Sequence, residues 1–343
     1  MSTPRSERLG IAILGCGNVA AKHAKTLKKV GGNVDFYFAS RSLQKAEAAN
    51  AKWRGSGAFG SYAEALEERD VDVVLITTTP DLHFTLCQQS LAAGKHVIVE
   101  KPAFIKSSHF EEIEALATER NRRVFIAENY FYKPMLKKLR EVLSEGLIGE
   151  PICMYVNALK QQEVSDWRND PALAGGGALF EGGVHWVNFM ANLGFKVDRV
   201  RGSFPGNPKK REDRSSVLTF DYENGASGTL FYSWECPSLL KGLRVSRIYG
   251  TEGSIFFESN GLVGAVNGKK KRVFFPGVRD IAGYQGMFRD YLKALRTGVE
   301  PELTFTMARN DYKYIEQAYD SAQWPLNNSS YLQPVGEKQC SGS

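Results

Sequence analysis

Long hydrophobic runs are missing from this chain. No segment approaches the ~20 apolar residues that a bilayer-spanning helix needs, which excludes such a helix as an organising element. Cysteine is sparse: five in 343 residues, at positions 16, 87, 153, 236 and 340. None has the paired spacing of a zinc site or redox motif, so they read as small buried residues in a reducing compartment. Charge of one sign is not in large excess either, since 44 basic against 38 acidic side chains leave only +6. The basic runs Lys209-Lys210-Arg211 and Lys269-Lys270-Lys271-Arg272 lack interleaved aromatic residues, so solvated hairpin tips fit them better than a nucleic-acid surface. An acidic substrate, such as a phosphorylated or nucleotide-linked sugar, is compatible with this balance. The polar start Ser2–Arg8 and the short apolar run after it do not make a secretory leader. A cytoplasmic protein without nucleic-acid or membrane partners is the expectation.

What is present points to a dinucleotide fold. Leu9–Leu14 has the length and branching of a buried parallel strand and leads into Gly15-Cys16-Gly17-Asn18-Val19-Ala20 and a helical segment. Gly15 permits the tight turn, Gly17 lets backbone approach a diphosphate, and small Ala20 allows close helix packing. The helix that begins at Asn18 and Val19 then presents free N–H groups to the phosphates. An acidic residue at the end of the second strand would select NAD, but Val34–Ala39 ends in Ser40-Arg41. A hydroxyl and a guanidinium suit a 2′-phosphate, so NADP is the expected cofactor, with NAD as the alternative.

Strands at Val73–Thr77, His96–Val99 and Arg123–Ala127 and the helices between them continue the βαβ alternation. The loop Thr77-Thr78-Thr79-Pro80-Asp81-Leu82-His83 leaves one strand end, placing hydroxyls and amides to line the cofactor. Another strand ends in Glu100-Lys101-Pro102, where a carboxylate and an ammonium stand at the ligand-binding edge of such a sheet. Lys101 is the first catalytic candidate.

Beyond Pro151 the pattern turns to alternating strands around Glu223-Asn224-Gly225, as in a sheet with one wet and one dry face. Inserted among them is a glycine-rich segment from Gly175 to Asn188, read as one helix. Glu181, His185 and Asn188 then fall at i, i+4 and i+7 on one stripe. On this reading Glu181 orients His185, and His185 acts as general base on a substrate hydroxyl. One His and one Glu are too few for a metal site, so none is expected.

The ordered combination of these motifs resembles the Gfo/Idh/MocA oxidoreductases. The likeness runs from about residue 8 to 322 and includes Glu128-Asn129-Tyr130-Phe131-Tyr132-Lys133-Pro134, Asp166-Trp167-Arg168, and a closing helix near Asp311–Ala322. It implies a doubly wound parallel Rossmann sheet (1–127), then an α+β domain with a large, mostly antiparallel open sheet (128–323) and an irregular tail (324–343). It also implies a homodimer or homotetramer through that second sheet. The nicotinamide would lie between Lys101 and the His185 helix, with Glu100, His83, Asn129 and Arg168 contacting cofactor. Tyr130, Trp167 and Arg168 join Lys101 and His185 around the substrate. The chain departs from the pattern at Glu181 and Asn188, both usually Asp, and at Phe131, often Arg.

The reaction expected is reversible oxidation of a secondary alcohol on a sugar, sugar derivative or cyclitol, with Lys101 or His185 taking the proton. The alternatives are a relative that cleaves glycosides with transient cofactor use, and a non-catalytic dinucleotide- or sugar-sensing regulator on the same scaffold.

Overall fold

A computed structural model describes residues 8–324 except 32, 165–166, 207–211 and 238–241. The expected tail from residue 325 on, Asp166, Cys340 and the basic run at 209–211 therefore lie outside the described residues.

Short runs of branched and aromatic residues, separated by amphipathic helices, build the first sheet. Its elements are β1 (Leu9–Leu14), α1 (Asn18–Val30), β2 (Val34–Ala39), α2 (Leu43–Trp53), β3 (Gly57–Phe59), α3 (Tyr62–Glu67), β4 (Val73–Ile76), α4 (His83–Ala92), β5 (His96–Val99), α5 (Ser108–Glu119) and β6 (Val124–Ile126). All six strands are parallel, in the order β3-β2-β1-β4-β5-β6. The edge strand β3 has only three residues and begins with glycine, too little to show a period in the sequence. Alternate residues of each strand point to opposite faces: Ile11, Ile13, Phe36 and Phe38 pack on one side, Ala12, Leu14, Tyr37 and Ala39 on the other.

The second part runs α6 (Pro134–Ser144), β7 (Pro151–Leu159), α7 (Pro171–Ala174), α8 (Val184–Ala191), β8 (Val197–Ser203), β9 (Ser215–Tyr222), β10 (Ser227–Ser233), β11 (Val245–Gly250), β12 (Gly253–Glu258), β13 (Gly264–Asn267), β14 (Arg272–Phe274), α9 (Tyr284–Thr297) and α10 (Phe305–Ser321). Its eight strands form one sheet, ordered β14-β13-β12-β11-β7-β10-β9-β8, antiparallel except for the β7–β10 pair. In β9 the exposure alternates strictly, with Ser216, Leu218, Phe220 and Tyr222 buried. Lys269–Lys271 do turn a hairpin, between β13 and β14.

Two features depart from the sequence reading. Helix α9, not anticipated, covers the first sheet from late in the chain: Met287, Phe288, Tyr291 and Leu292 join the core formed by Ile11, Ile13 and Phe125. Each such side chain contributes about 1.5–3 kcal/mol by leaving water, and the Tyr291 hydroxyl donates to the Ile126 carbonyl at 2.6 Å. Second, the cysteines are not uniformly buried. Cys87 is enclosed, Cys16 and Cys236 are half-buried, and Cys153 is exposed because its position in β7 faces away from the core.

Candidate functional site

Register brings the strand ends to one level. Leu14 is paired with Ala39 and Ile76, Ile76 with Val99, and Val99 with Ile126. The turns beginning at Gly15, Thr77, Glu100 and Ala127 thus leave the sheet side by side, the usual setting for a ligand in such folds.

At Gly15 the backbone has φ of +101°, and a Cβ there would come within 3.0–3.2 Å of Thr77. Gly17 caps α1 without a side-chain hydrogen bond, no acid stands in the first turn, and a Cβ at 17 would meet nothing within 4 Å. Open space above uncapped amides fits a diphosphate. The cleft over this turn has a volume of about 410 Å³. Gly15, Gly17, Asn18 and Val19 form its floor, Ser40 and Arg41 with Lys45 one end, and Thr78, Thr79, Pro80, Glu100 and Lys101 the other wall.

Glu100 is buried and accepts the Lys101 N–H at 2.9 Å, while its second oxygen lies 2.5 Å from His23 Nε2. Burial pushes this carboxyl up, but the His23 hydrogen bond and nearby charges outweigh it and bring it down to about 2. His23, in the middle of α1 between the Tyr284 and Phe288 rings, was not recognised as part of the site. A single histidine on a helix carries no signal until the fold places it under the strand end.

Lys101, followed by a cis peptide to Pro102, extends to the other part of the molecule. Its Nζ donates to the Glu181 carbonyl at 2.8 Å and to Glu181 Oε1 at 3.3 Å. Arg168 Nε reaches the same carboxylate oxygen at 3.1 Å. Glu181 is buried, which alone would raise its pKa, yet Lys101 and Arg168 hold it below the usual carboxylate range.

That arrangement corrects the role expected of Glu181. It does not orient His185; Glu128 does, with oxygens 2.7 and 2.9 Å from His185 Nδ1. The reason lies in the backbone. Residues Leu179–Gly183 form a π-helical turn before α8 begins at Val184, so the i, i+4, i+7 stripe is broken. Glu181 faces Lys101, His185 faces Glu128, and Asn188 is wholly buried with its Nδ2 donating to Asp311 Oδ2 at 2.8 Å. Tyr130 stacks flat on the His185 ring at 4.4 Å.

Three further expectations change place. His83 does not line the nucleotide cleft. It is buried, its Nδ1 lies 2.9 Å from the Pro102 carbonyl oxygen and its Nε2 3.1 Å from that of Thr78, so it ties the threonine loop to the turn after Lys101. Burial pushes its pKa down. Asn129 belongs to the second cavity, with Nδ2 donating to the Ala282 carbonyl at 2.5 Å, and not to the nucleotide cleft. Trp167 lines the nucleotide cleft instead of the second cavity, because its short turn passes over that cleft and only the adjacent Arg168 reaches both. Phe131, in the position often held by Arg, is buried against the Arg140 guanidinium at 4.1 Å.

The second cavity, about 590 Å³, opens beside the nucleotide cleft and shares Lys101, Arg168 and Glu181 with it. His185, Tyr130, Trp186, Tyr232 and Tyr284 supply its aromatic walls. Lys101 and His185, 84 positions apart in sequence, therefore face one space. Among the described residues no group of three His, Cys, Asp or Glu is arranged to hold a metal ion, and no helix is long and apolar enough to cross a membrane.

Comparison with known proteins agrees with this geometry. Residues 9–128 match the GFO/IDH/MocA family model, described as an oxidoreductase family with an NAD-binding Rossmann fold, and residues 136–256 match the GFO/IDH/MocA C-terminal domain. The uncharacterized oxidoreductase YfiI of Bacillus subtilis is 32% identical over 211 residues, 57% of this chain and 53% of that one, so the chain spans about half its length. The dTDP-3,4-didehydro-2,6-dideoxy-alpha-D-glucose 3-reductase of Streptomyces violaceoruber is 30% identical over 258 residues, covering 74% of this chain and 73% of the reductase. Among solved structures, an oxidoreductase from Thermotoga maritima superposes with a TM-score of 0.81 at 26% identity, covering 92% of this chain and 97% of the other.

Proposed function

Since the chain belongs to the GFO/IDH/MocA oxidoreductase family, whose first domain is an NAD-binding Rossmann fold, we propose that it interconverts a secondary alcohol and a ketone on a sugar, sugar derivative or cyclitol. The observation that carries this reading is the convergence of Lys101 and His185 on the cavity adjoining the nucleotide cleft. A bound nicotinamide supplies the hydride acceptor or donor.

The chain's own residues supply the proton chemistry. An ammonium has three donors, and Lys101 spends two on Glu181, which leaves one for the substrate oxygen. That N–H stabilises negative charge as it develops on the alkoxide. With Nδ1–H donated to Glu128, the imidazole of His185 presents Nε2 as the unprotonated nitrogen, so His185 is the base that takes the hydroxyl proton. Glu128 is a positioning residue in this scheme, and Tyr130 holds the ring from its face.

NADP is the preferred cofactor in this proposal. Ser40, Arg41 and Lys45 gather at the end of the cleft below β2, where the lining includes no carboxylate to favour a free ribose hydroxyl. A homo-oligomer through the open face of the second sheet is proposed too. Register places Tyr155, Phe231, Phe256 and Val273 on the face away from the helices, with Phe231 and Val273 exposed. Sedimentation would return a monomer mass if that face stays free.

The decisive assay follows absorbance of NADPH and NADH with a panel of sugars, sugar phosphates, nucleotide sugars and inositols, comparing the native chain with Lys101→Ala. Turnover by the native chain that Lys101→Ala abolishes supports the redox reading. Dinucleotide binding with no turnover in either form would assign a sensor instead.

A further inference from the structure

Positive charge gathers in the second cavity far beyond what hydride transfer uses. Lys22, Lys101, Lys133, Lys160, Arg168 and Arg244 line it, against the single carboxylate of Glu181, which Lys101 and Arg168 already engage. Lys133 and Arg244 stand apart from the rest because both are more than nine-tenths buried. Among the described residues, neither has a carboxylate within 4 Å. Lys133 Nζ donates only to two backbone carbonyls, those of Asn260 at 3.1 Å and Ile281 at 3.2 Å. Arg244 donates to the Asn260 side-chain oxygen, faces the Trp186 ring at 5.3 Å, and keeps a buried Nε with no partner.

Glu258 favours the charge of both, and Asp280 and Glu128 that of Lys133, but burial outweighs them and none of the three is in contact with either cation. Glu258 is buried with its oxygens accepting from the Asn260, Gly261 and Leu262 backbone amides and from Asn260 Nδ2. It therefore serves to fix the loop that presents Asn260. Two neighbouring cations held out of water with no carboxylate in contact cost folding free energy, and an incoming anion offsets that cost. Burial and the proximity of Arg244 lower the Lys133 ammonium to about 8.

We propose that this cavity takes an anionic hydroxy compound, whose carboxylate or phosphate oxygens are held by Arg244 and Lys133 while its hydroxyl-bearing carbon faces Lys101 and His185. The planar guanidinium suits two oxygens of one oxyanion, and Lys133 has one donor left after its two carbonyls. The placement is consistent with one substrate spanning both groups, because Lys133 Nζ lies 4.6 Å from the centre of the same Tyr130 ring that stacks on His185. This inference rests on the redox reading of the cavity, naming the class of substrate that the reading leaves open.

The test is calorimetric binding to the NADP-saturated protein, with glucuronate, glucose 6-phosphate and glucose as probes. At least one of the two anions should bind about 10-fold or more tighter than glucose, with the advantage shrinking as KCl rises from about 50 to about 500 mM. Whichever anion holds the larger advantage identifies carboxylate or phosphate as the group recognised. Arg244→Met should weaken that anion about 30-fold and leave glucose and NADPH within about threefold, as for loss of a charge-assisted hydrogen bond. Lys133→Met should act in the same direction and stands in if the arginine variant does not fold. Glucose binding as tightly as both anions, neither anion binding, or the variants weakening every probe alike would overturn the proposal. An anion that binds in this way yet yields no NADPH leaves the anion site standing and counts against the redox reading alone.

Discussion

The nucleotide cleft and the cavity next to it share a wall of Lys101, Arg168 and Glu181, yet they are assembled by opposite means. The cleft is made of consecutive residues at strand ends, largely backbone amides and short hydroxyl side chains, and its buried acid Glu100 is matched by His23. The cavity draws single side chains from widely separated segments, and its buried cations Lys133 and Arg244 have no carboxylate in contact among the described residues. In one half the buried acid at the strand end is balanced within the protein. The other carries a charge that a ligand completes.

The largest effect should come from the shared wall. Lys101→Met removes the donor aimed at the reacting oxygen and should lower turnover by about 10³-fold or more, while NADPH affinity by fluorescence titration stays within about threefold. Near-native turnover would remove Lys101 from the chemistry and the main link between the two halves.

Next is Glu128→Gln, which touches only the substrate half. Losing the carboxylate that fixes His185 should cut kcat about 10²-fold, with KM and dinucleotide affinity little altered and part of the rate restored by Glu128→Asp. A matching fall in NADPH binding would instead show Glu128 to be a general support of the fold.

Arg41→Ala probes the nucleotide half alone. NADPH should bind about 10-fold more weakly and NADH almost unchanged, since only the former carries a 2′-phosphate for a charge-assisted hydrogen bond. An equal loss for both would instead mean that Arg41 stacks on the adenine.

The smallest effect is on stability: Glu100 and Lys133 both have lowered pKa values, so stability rises with pH through each window, but the charged form helps in one half and costs in the other. Glu100 sits at about 2, below its ordinary 4.5, so its contribution is present above 4.5 and fades as pH falls towards 2. Glu100→Gln should therefore lower the melting temperature at neutral pH but not near pH 2. Lys133 sits at about 8, below its ordinary 10.5, because burial and Arg244 oppose its charge despite Glu258, Asp280 and Glu128. Its cost is fully present below 8 and disappears as pH rises through 10.5. Lys133→Met should melt a few degrees higher than the native chain at pH 7, with the gap closing above pH 8. A lower melting temperature at pH 7 would mean that its hydrogen bonds to Asn260 and Ile281 outweigh the buried charge.

The same contrast explains what could be read in advance. Gly15, Gly17, Ser40, Arg41, Thr78 and Lys101 were legible because a βαβ pattern fixes the strand ends, and strand ends fix the cleft. His185 was legible as a histidine in a glycine-rich segment, but its partner was not. Helical spacing favoured Glu181, four residues away, and only the π-turn at Leu179–Gly183 and the position of β6 bring Glu128 to the ring. Lys133 reads in sequence as one more basic residue before a proline, and Arg244 as a charge at the edge of a strand. Lys133 is buried against the Asn260 loop, 127 residues on, and Arg244 against Trp186, 58 residues back, as well as against Asn260 16 residues on. His83 misled for a related reason: the loop is where a cofactor contact belongs, but the side chain turns inward to carbonyls.

Helix α9 has a consequence for how the protein comes into being. During synthesis the six parallel strands emerge early, and Ala20, Ala24 and Leu27 of α1 with Ala46 of α2 cover part of one face, but Phe125 lacks the Tyr291 ring stacked on it until α9 has left the ribosome. The nascent first half must wait, the α9 side of its apolar face open, through the making of the entire second sheet. A protease or chaperone meeting the chain at that stage would find its best foothold on the surface that α9 later conceals.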